Sequence, residues 1–376
     1  MDKLIPGLEG IPCAESSISF INGQEGVLEY RGYDIRDLAE NCTSEEVAFL
    51  LIEGALPNGE QLASFTAELI AHRAVPQGIL DMLATLPPSG HPMKALQAAV
   101  AAMGAHFPMG DMGDADAQRS AMVRLIASVP TLIAAHHRLR NGDDAVAPRD
   151  ELSHAANFLN MLGGEVPSDV VVRTMDACIV LHMEHTMNAS TFTGRVVAST
   201  MADPYAVVSA AVGSLTGPLH GGANERALKS LNAIPSLADV DSIIGGKIDR
   251  KEKIMGLGHR VYKTKDPRAY ILQGLAEELF AEQGATPVYE IAMRVEALAA
   301  ERLGHKGIYP NVDFYSGIVY DAMGIPSDVF TPVFAVARVV GWLAHWQAQL
   351  DGNRIFRPSQ VFTGTRGHAV GPIASR

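Results

Sequence analysis

Apolar residues recur at three- and four-residue spacing along most of the chain, the period of a helix with one buried face, and sustained alternation of period two is almost absent. DVVVRTMDACIVLHMEH after Pro167-Ser168, the run from Asp203-Pro204 to Gly217-Pro218, RAYILQGLAEELFAEQ between Asp266-Pro267 and Gly284, and VFAVARVVGWLAHWQAQL between Thr331-Pro332 and Asp351-Gly352 each read as a helix. A capping side chain, proline at the first helical position and glycine beyond the last is how helices are punctuated. Thr43 stands three residues before Glu46, the spacing of a capping box. Roughly fifteen to twenty segments of this kind predict a mainly α fold. The entry is different: SSISFINGQEGVLEYRGYDI is β-prone, and Gly23 and Gly26 divide its two apolar runs as a hairpin would. Residues 106–119 read as a loop between helices, and no repeat of fixed period is present.

At 376 residues the chain exceeds one usual domain, so two are expected. Apolar residues make up 47% and charged ones 19%, enough for a large core and too apolar for disorder. Ala, Leu, Val and Met outweigh the sparse aromatics, which favours packed helices. The glycine cluster from Gly217 to Gly222 is a plausible domain hinge, since glycines absorb torsion. Cys13, Cys42 and Cys178 are odd in number and far apart, without any CxxC, so reduced thiols in a cytoplasmic setting are expected rather than disulfides or a thiolate zinc site. MDKLIPGLEG lacks the apolar run of a signal peptide, and no run of about 18 residues is free of charge or break, so no membrane span is expected. The net charge of -12 argues against nucleic acid as a partner. It also means that any anion site must be built locally.

One stretch runs against that balance. In GLGHRVYKTKDPR, His259, Arg260, Lys263, Lys265 and Arg268 face a single carboxylate, Asp266. Gly256-Leu257-Gly258 offers a flexible backbone whose N–H groups would suit an anion or a purine edge, although neither a dinucleotide fingerprint nor a P-loop is present. Arg268 falls in the first turn of its helix, where a cation opposes the macrodipole unless an anion lies nearby. Arg338 lies mid-helix with apolar neighbours on nearly every face, so it needs a partner, either a protein carboxylate or a bound one. Val171, Met175, Cys178, His182 and His185 form one stripe on the predicted 168–185 helix. Its two histidines are either satisfied core residues or a His-x-x-His chelate, and no third ligand follows at a convincing spacing. His220 sits at the glycine-flanked break, as a carbonyl cap or as an uncovered imidazole. Asn311 can cap a helix, which places Asp313 in its first turn. That aspartate either serves the helix dipole or is a base among Tyr309, Phe314 and Tyr315, where desolvation would strengthen it as a proton acceptor.

Taken in order, LHMEHTMNASTFTGRVVAST, GPLHGGANE, GLGHRVYKTKDPR and YPNVDFYSGIVY resemble the citrate synthase family, as do GLEGIPCAESSIS with LEYRGYDI and the late RIFRPS, so the likeness spans residues 7–358. The resemblance implies a two-domain fold, a large helical domain of residues 1–218 and 325–376 and a small one of 219–324. It implies condensation of acetyl-CoA with oxaloacetate, then hydrolysis of citryl-CoA, with no metal and no tightly bound cofactor. Asp313 would be the base, His220 the donor to the thioester oxygen, and His259 the group that polarises the ketone. His185, Asn188, Arg268 and Arg338 would hold oxaloacetate, with Arg357 reaching in from the other subunit of a homodimer. Lys253, Gly256, Leu257, Gly258, Arg260, Lys263 and Lys306 would face CoA. The sequence departs from many members at Glu184-His185-Thr186 and at Leu257, and the N-terminal extension of NADH-inhibited relatives is not seen, so that regulation is not expected. A 2-methylcitrate synthase using propionyl-CoA is the near alternative, and a non-catalytic CoA-binding sensor or scaffold the distant one.

Overall fold

The β-prone entry folds as a small antiparallel sheet of order β1 (Ser19–Asn22), β2 (Val27–Tyr30) and β3 (Tyr33–Asp34), with Ser19 opposite Tyr30 and Asn22 opposite Val27. The hairpin foreseen around Gly23 and Gly26 is its first turn. The computed structural model describes residues 4–375. Sixteen helices follow among them: α1 (Ile35–Asn41), α2 (Ser44–Glu53), α3 (Gly59–Ala71), α4 (Gln77–Ala84), α5 (Pro92–His106), α6 (Ala115–Arg140), α7 (His154–Gly163), α8 (Asp169–His182), α9 (Ala189–Ala198), α10 (Pro204–Leu215), α11 (Ala223–Asn232), α12 (Val240–Asp249), α13 (Pro267–Gln283), α14 (Pro287–Leu303), α15 (Val312–Ala322) and α16 (Phe330–Leu350).

Local chemistry explains most of their ends. Thr43 and Glu46 close both bonds of the expected capping box, and Asn58 with Gln61 makes a second. Asp203, Asp266 and Asn311 cap α10, α13 and α15 through side-chain oxygens. The 106–119 loop is shorter than predicted, because α5 runs to His106 and Asp114 already caps α6. Two further ends moved. Thr331 is no cap: α16 begins at Phe330, and the Thr331 hydroxyl donates to the Gly221 carbonyl at 3.2 Å. The predicted 168–185 helix stops at His182, so His182 and His185 do not share a helix face.

At the centre lies α16, packed against α2, α6, α8, α9 and α10, with Trp342 and Trp346 fully buried. It is long and apolar enough to cross a membrane by length and composition, yet its apolar window is buried throughout, as a core helix requires. α15 packs against both α13 and α11, and α13 also reaches α1 and α8. The break between α10 and α11 thus lies beside the start of α16. Gly221 is needed there for close approach: a Cβ would lie 2.5 Å from the Leu215 carbonyl oxygen.

Candidate active site

Five segments converge: the loop after α8, the break before α11, the stretch before α13, the first turn of α15 and the middle of α16. The imidazoles of His185 and His259 stand 5.4 Å apart between centroids, and Tyr262 packs against both. The Tyr262 hydroxyl lies 3.3 Å from His185 Nε2.

Hydrogen bonds decide which nitrogen of each histidine carries the proton. The backbone N–H groups of Val261 and Tyr262 both donate to His259 Nδ1, at 3.0 and 3.2 Å. A nitrogen that accepts holds no proton, so neutral His259 presents Nε2–H. In His220 the roles reverse. Its Nε2 accepts the backbone N–H of Ser190 at 3.3 Å, which leaves Nδ1–H. Ser190 Oγ is held by Trp342 Nε1–H of α16 at 3.1 Å. Burial, reinforced by Arg338 for His220 and by Arg268 for His259, lowers both imidazoles to about 4. Burial and Arg268 also push His185 well below the usual range. All three rings are therefore neutral at pH 7.

Asp313 sits in the first turn of α15, where its N–H donates to the Asn311 side chain at 3.0 Å. Asn311 also donates from its side chain to the Gly258 carbonyl and from its N–H to the Gly256 carbonyl, each at 2.9 Å, so one residue ties the helix to the glycine loop. Burial raises the Asp313 carboxyl to about 6, against the pull of Arg268 and Arg338.

The arginines divide. Arg268 donates from Nε and Nη2 to the two oxygens of Asp266, at 3.0 and 2.7 Å, and both residues are buried. The anion that a cation in a first turn calls for is thus the helix's own cap. Burial alone would weaken the Arg268 cation; Asp266 reverses this and holds its pKa above the ordinary value. Arg338 is also buried but forms no ion pair among the described residues. Its Nε donates to the His182 carbonyl at 2.7 Å, its guanidinium lies over the Phe334 ring at 4.7 Å, and burial lowers its pKa to about 10. Glu184 and Asp313 support its charge only from beyond ion-pair distance.

One expectation needs correction. The glycine loop does not leave its N–H groups at Leu257 and Gly258 free: Leu257 N–H donates to the Ile254 carbonyl and Gly258 N–H to that of Tyr309, beside a bridge between Leu257 and Pro310. Gly256 and Gly258 are there for left-handed backbone, with φ of 80° and 84°, and a Cβ on Gly256 would strike Phe314. Lys265 of the cationic patch turns inward to Glu296, while Lys253, Arg260, Lys263 and Lys306 are exposed and form no ion pair among the described residues. Asn188 is occupied as the cap of α9, accepting from Thr191 N–H and Ser190 Oγ. His182 is a satisfied core residue, its Nδ1–H donating to the Cys178 carbonyl at 2.7 Å, not half of a chelate. Arg357 is exposed in a groove with Arg195, Arg354, Phe356 and Cys13, a groove that neither Arg268 nor Arg338 lines. Sequence reasoning missed Tyr262, Ser190 and Trp342. Only Tyr262 had a signal, its place three residues after His259.

Neutral N–H donors, a carboxylate kept weakly acidic by burial and a guanidinium without an ion pair among the described residues meet on a two-domain all-α fold, and the family that this chain matches is one of acyltransferases. The family description "Citrate synthase, C-terminal domain" matches residues 7–359. The chain is 50% identical to the citrate synthase of Synechocystis sp. over 98% of its own length and 93% of that protein's. A crystal structure of citrate synthase from Thermoplasma acidophilum, in a ternary complex with carboxymethyl coenzyme A and oxaloacetate, superposes with a TM-score of 0.95 at 33% identity, covering all of both chains. The 2-methylcitrate synthase of Shewanella oneidensis is less similar, at 39% identity over 98% of this chain and 97% of that one. The chain belongs to the citrate synthase family, and its activity is that of an acyltransferase forming citrate. The family works without a tightly bound cofactor.

Proposed function

We propose that Asp313 removes a proton from the methyl group of acetyl-CoA while His220 Nδ1–H donates to the thioester oxygen. A methyl next to a thioester is far too weak an acid for a carboxylate alone, so the charge reaching the oxygen must meet a donor already in place, worth about 3–4 kcal/mol. The enol carbon then attacks the ketone carbon of oxaloacetate, and His259 Nε2–H passes its proton to the ketone oxygen. Water attacks the thioester of the resulting citryl-CoA, the C–S bond breaks, and CoA leaves as the thiol. Arg338, Arg268 and His185 hold the oxaloacetate carboxylates, with Asn188 shaping the loop that carries His185. Lys253, Arg260, Lys263 and Lys306 face the CoA phosphates, and the backbone of Gly256, Leu257 and Gly258 the adenine.

The observation that carries this reading is the pair of opposed tautomers: His220 is bonded through Nε2 and His259 through Nδ1, so each keeps one N–H for a substrate oxygen. Closure of residues 219–324 on the rest, hinged near Gly217 to Gly222, would exclude water before condensation and admit it afterwards. Three unpaired cysteines suit a reducing, cytoplasmic setting. The test is thiol release from acetyl-CoA and from propionyl-CoA, with and without oxaloacetate. Release that needs oxaloacetate and favours acetyl-CoA is expected. A preference for propionyl-CoA would make the enzyme a 2-methylcitrate synthase, and CoA binding without release would make it a sensor.

A homodimer with shared sites accounts for Arg357. Leu8, Ile11, Ile355, Val361 and Phe362 are exposed in the two terminal segments, apolar surface that a second copy would cover. Mixing Arg357→Ala with Asp313→Asn chains should then restore activity, because one site of each mixed dimer has both residues intact. Random pairing predicts about a quarter of the parental activity. Mixed dimers that stay inactive would show that sites are not shared.

A further inference from the structure

The catalytic reading leaves the N-terminal hairpin unused, yet its two ends touch the segments that carry both histidines of the oxaloacetate site. At its base, Ser19 Oγ donates to Glu184 Oε1 at 2.9 Å and accepts the Thr186 N–H at 3.3 Å. Directly opposite, the buried Tyr30 hydroxyl donates to the Glu184 carbonyl at 2.9 Å and accepts the Glu184 N–H at 3.1 Å. His185 lies between these anchored residues. Thr186 has φ of 48°, a left-handed conformation that a β-branched residue avoids, so the loop holds its shape only because something outside imposes it. Glu184 is fixed from the far side as well. Arg195 Nη1 lies 3.2 Å from His345 Nδ1, and a guanidinium can only donate, so His345 offers Nε2–H to Glu184 Oε1 at 3.1 Å.

At the tip, the hairpin seats on the segment that carries His259. Lys263 N–H donates to the Gly23 carbonyl at 2.8 Å. A Cβ on Gly23 would lie 2.2 Å from the carbonyl oxygen of Val261, whose own N–H is one of the two that orient His259. Asn22 Oδ1 stiffens the turn by accepting the Gln24 and Glu25 N–H groups.

We propose that the hairpin is a positioning element that sets the separation of His185 and His259 across the oxaloacetate site, with Ser19 and Gly23 as its positioning residues. The proposal rests on the assignment of those histidines made above. Two loops far apart in sequence are held in register by one stiff ribbon, bonded to the first through Ser19 and Tyr30 and to the second through Gly23. A misplacement of about 1 Å at such a site can cost about 100-fold in rate.

Steady-state kinetics of Ser19→Ala, Ser19→Thr and Gly23→Ala in the full chain test it, with thermal unfolding of the unliganded protein as a control. Ser19→Ala should raise the oxaloacetate KM about tenfold and leave the acetyl-CoA KM within about twofold, and Ser19→Thr, which keeps the hydroxyl, should recover most of the loss. Gly23→Ala should lower kcat at least about tenfold, at an unfolding temperature close to the parent's. Parental constants in Ser19→Ala, a parallel rise of both KM values, or equal impairment in Ser19→Ala and Ser19→Thr would overturn the proposal. If Gly23→Ala does not fold, the Ser19 pair decides alone. Turnover retained by Asp313→Asn would instead sink the catalytic reading itself. An inactive Asp313→Asn beside unimpaired hairpin variants would sink only the hairpin.

Discussion

Asp313→Asn is expected to lower kcat by about 10³-fold or more while oxaloacetate affinity stays within about threefold. The side chains are nearly the same size, and the cap at this turn is made by the Asp313 N–H rather than its carboxylate, so the helix end survives. What disappears is the carboxylate proposed to accept the methyl proton. The parent also makes a pH prediction. With the carboxyl raised to about 6, turnover at saturating substrate should fall as pH drops through 6, because the base must be ionised. The residual rate of the Asn variant should lack that limb. Stability should move the other way. A carboxyl whose folded pKa is raised binds its proton more tightly in the native state, so folding loses stability as pH rises from the ordinary carboxylate range through 6. Asparagine removes that loss. The variant should unfold at a higher temperature than the parent at pH 7.5, with the difference fading below about pH 4. Stopped-assay kinetics, oxaloacetate titration by calorimetry and unfolding scans at the two pH values check all three. Turnover within tenfold of the parent would dismiss Asp313 as the base.

The second large effect separates function from stability. Arg338→Met should raise the oxaloacetate KM by about 100-fold or more, the scale of the 2–5 kcal/mol lost when one partner of a buried charge pair is truncated. The unfolding temperature should be unchanged or higher. Arg338 is buried without an ion pair among the described residues, and the cost shows in a pKa lowered to about 10. Methionine fills similar volume against Phe334, and the lost bond to the His182 carbonyl offsets part of the gain. Arg268→Met should behave oppositely, because it would strand a buried Asp266. If Arg338→Met kept the parental KM, or destabilised the protein strongly, the guanidinium would be structural.

These two arginines also show where reading a sequence runs out. A cation in the first turn of α13 asks for an anion, and the sequence could not say that the cap two residues earlier supplies it. For Arg338 the question was the same and the answer the reverse, since among the described residues no carboxylate comes within ion-pair distance and Glu184 acts on it only from farther off. The caps at Thr43, Asp203, Asp266 and Asn311 were legible because each acts on a neighbour three or fewer residues away. The end of α8 was not. Periodicity carries the helix on to His185, but Tyr30 and Ser19, more than 150 residues away in sequence, capture Glu184 and Thr186 and turn the chain out. The tautomer of His220 was equally out of reach, because the Ser190 whose N–H fixes it lies on α9, 30 residues earlier in the chain.

By itself, then, the order of residues determined the helices, their caps and the residue types available for catalysis, since those depend on side-chain period and on hydrogen bonds a few residues long. Tertiary structure alone decided which buried arginine lacks a counter-ion, which nitrogen of His220 bears the proton, and how a left-handed threonine is held beside His185. Each of these depends on groups distant along the chain and close in space, and a one-dimensional pattern records no such distance.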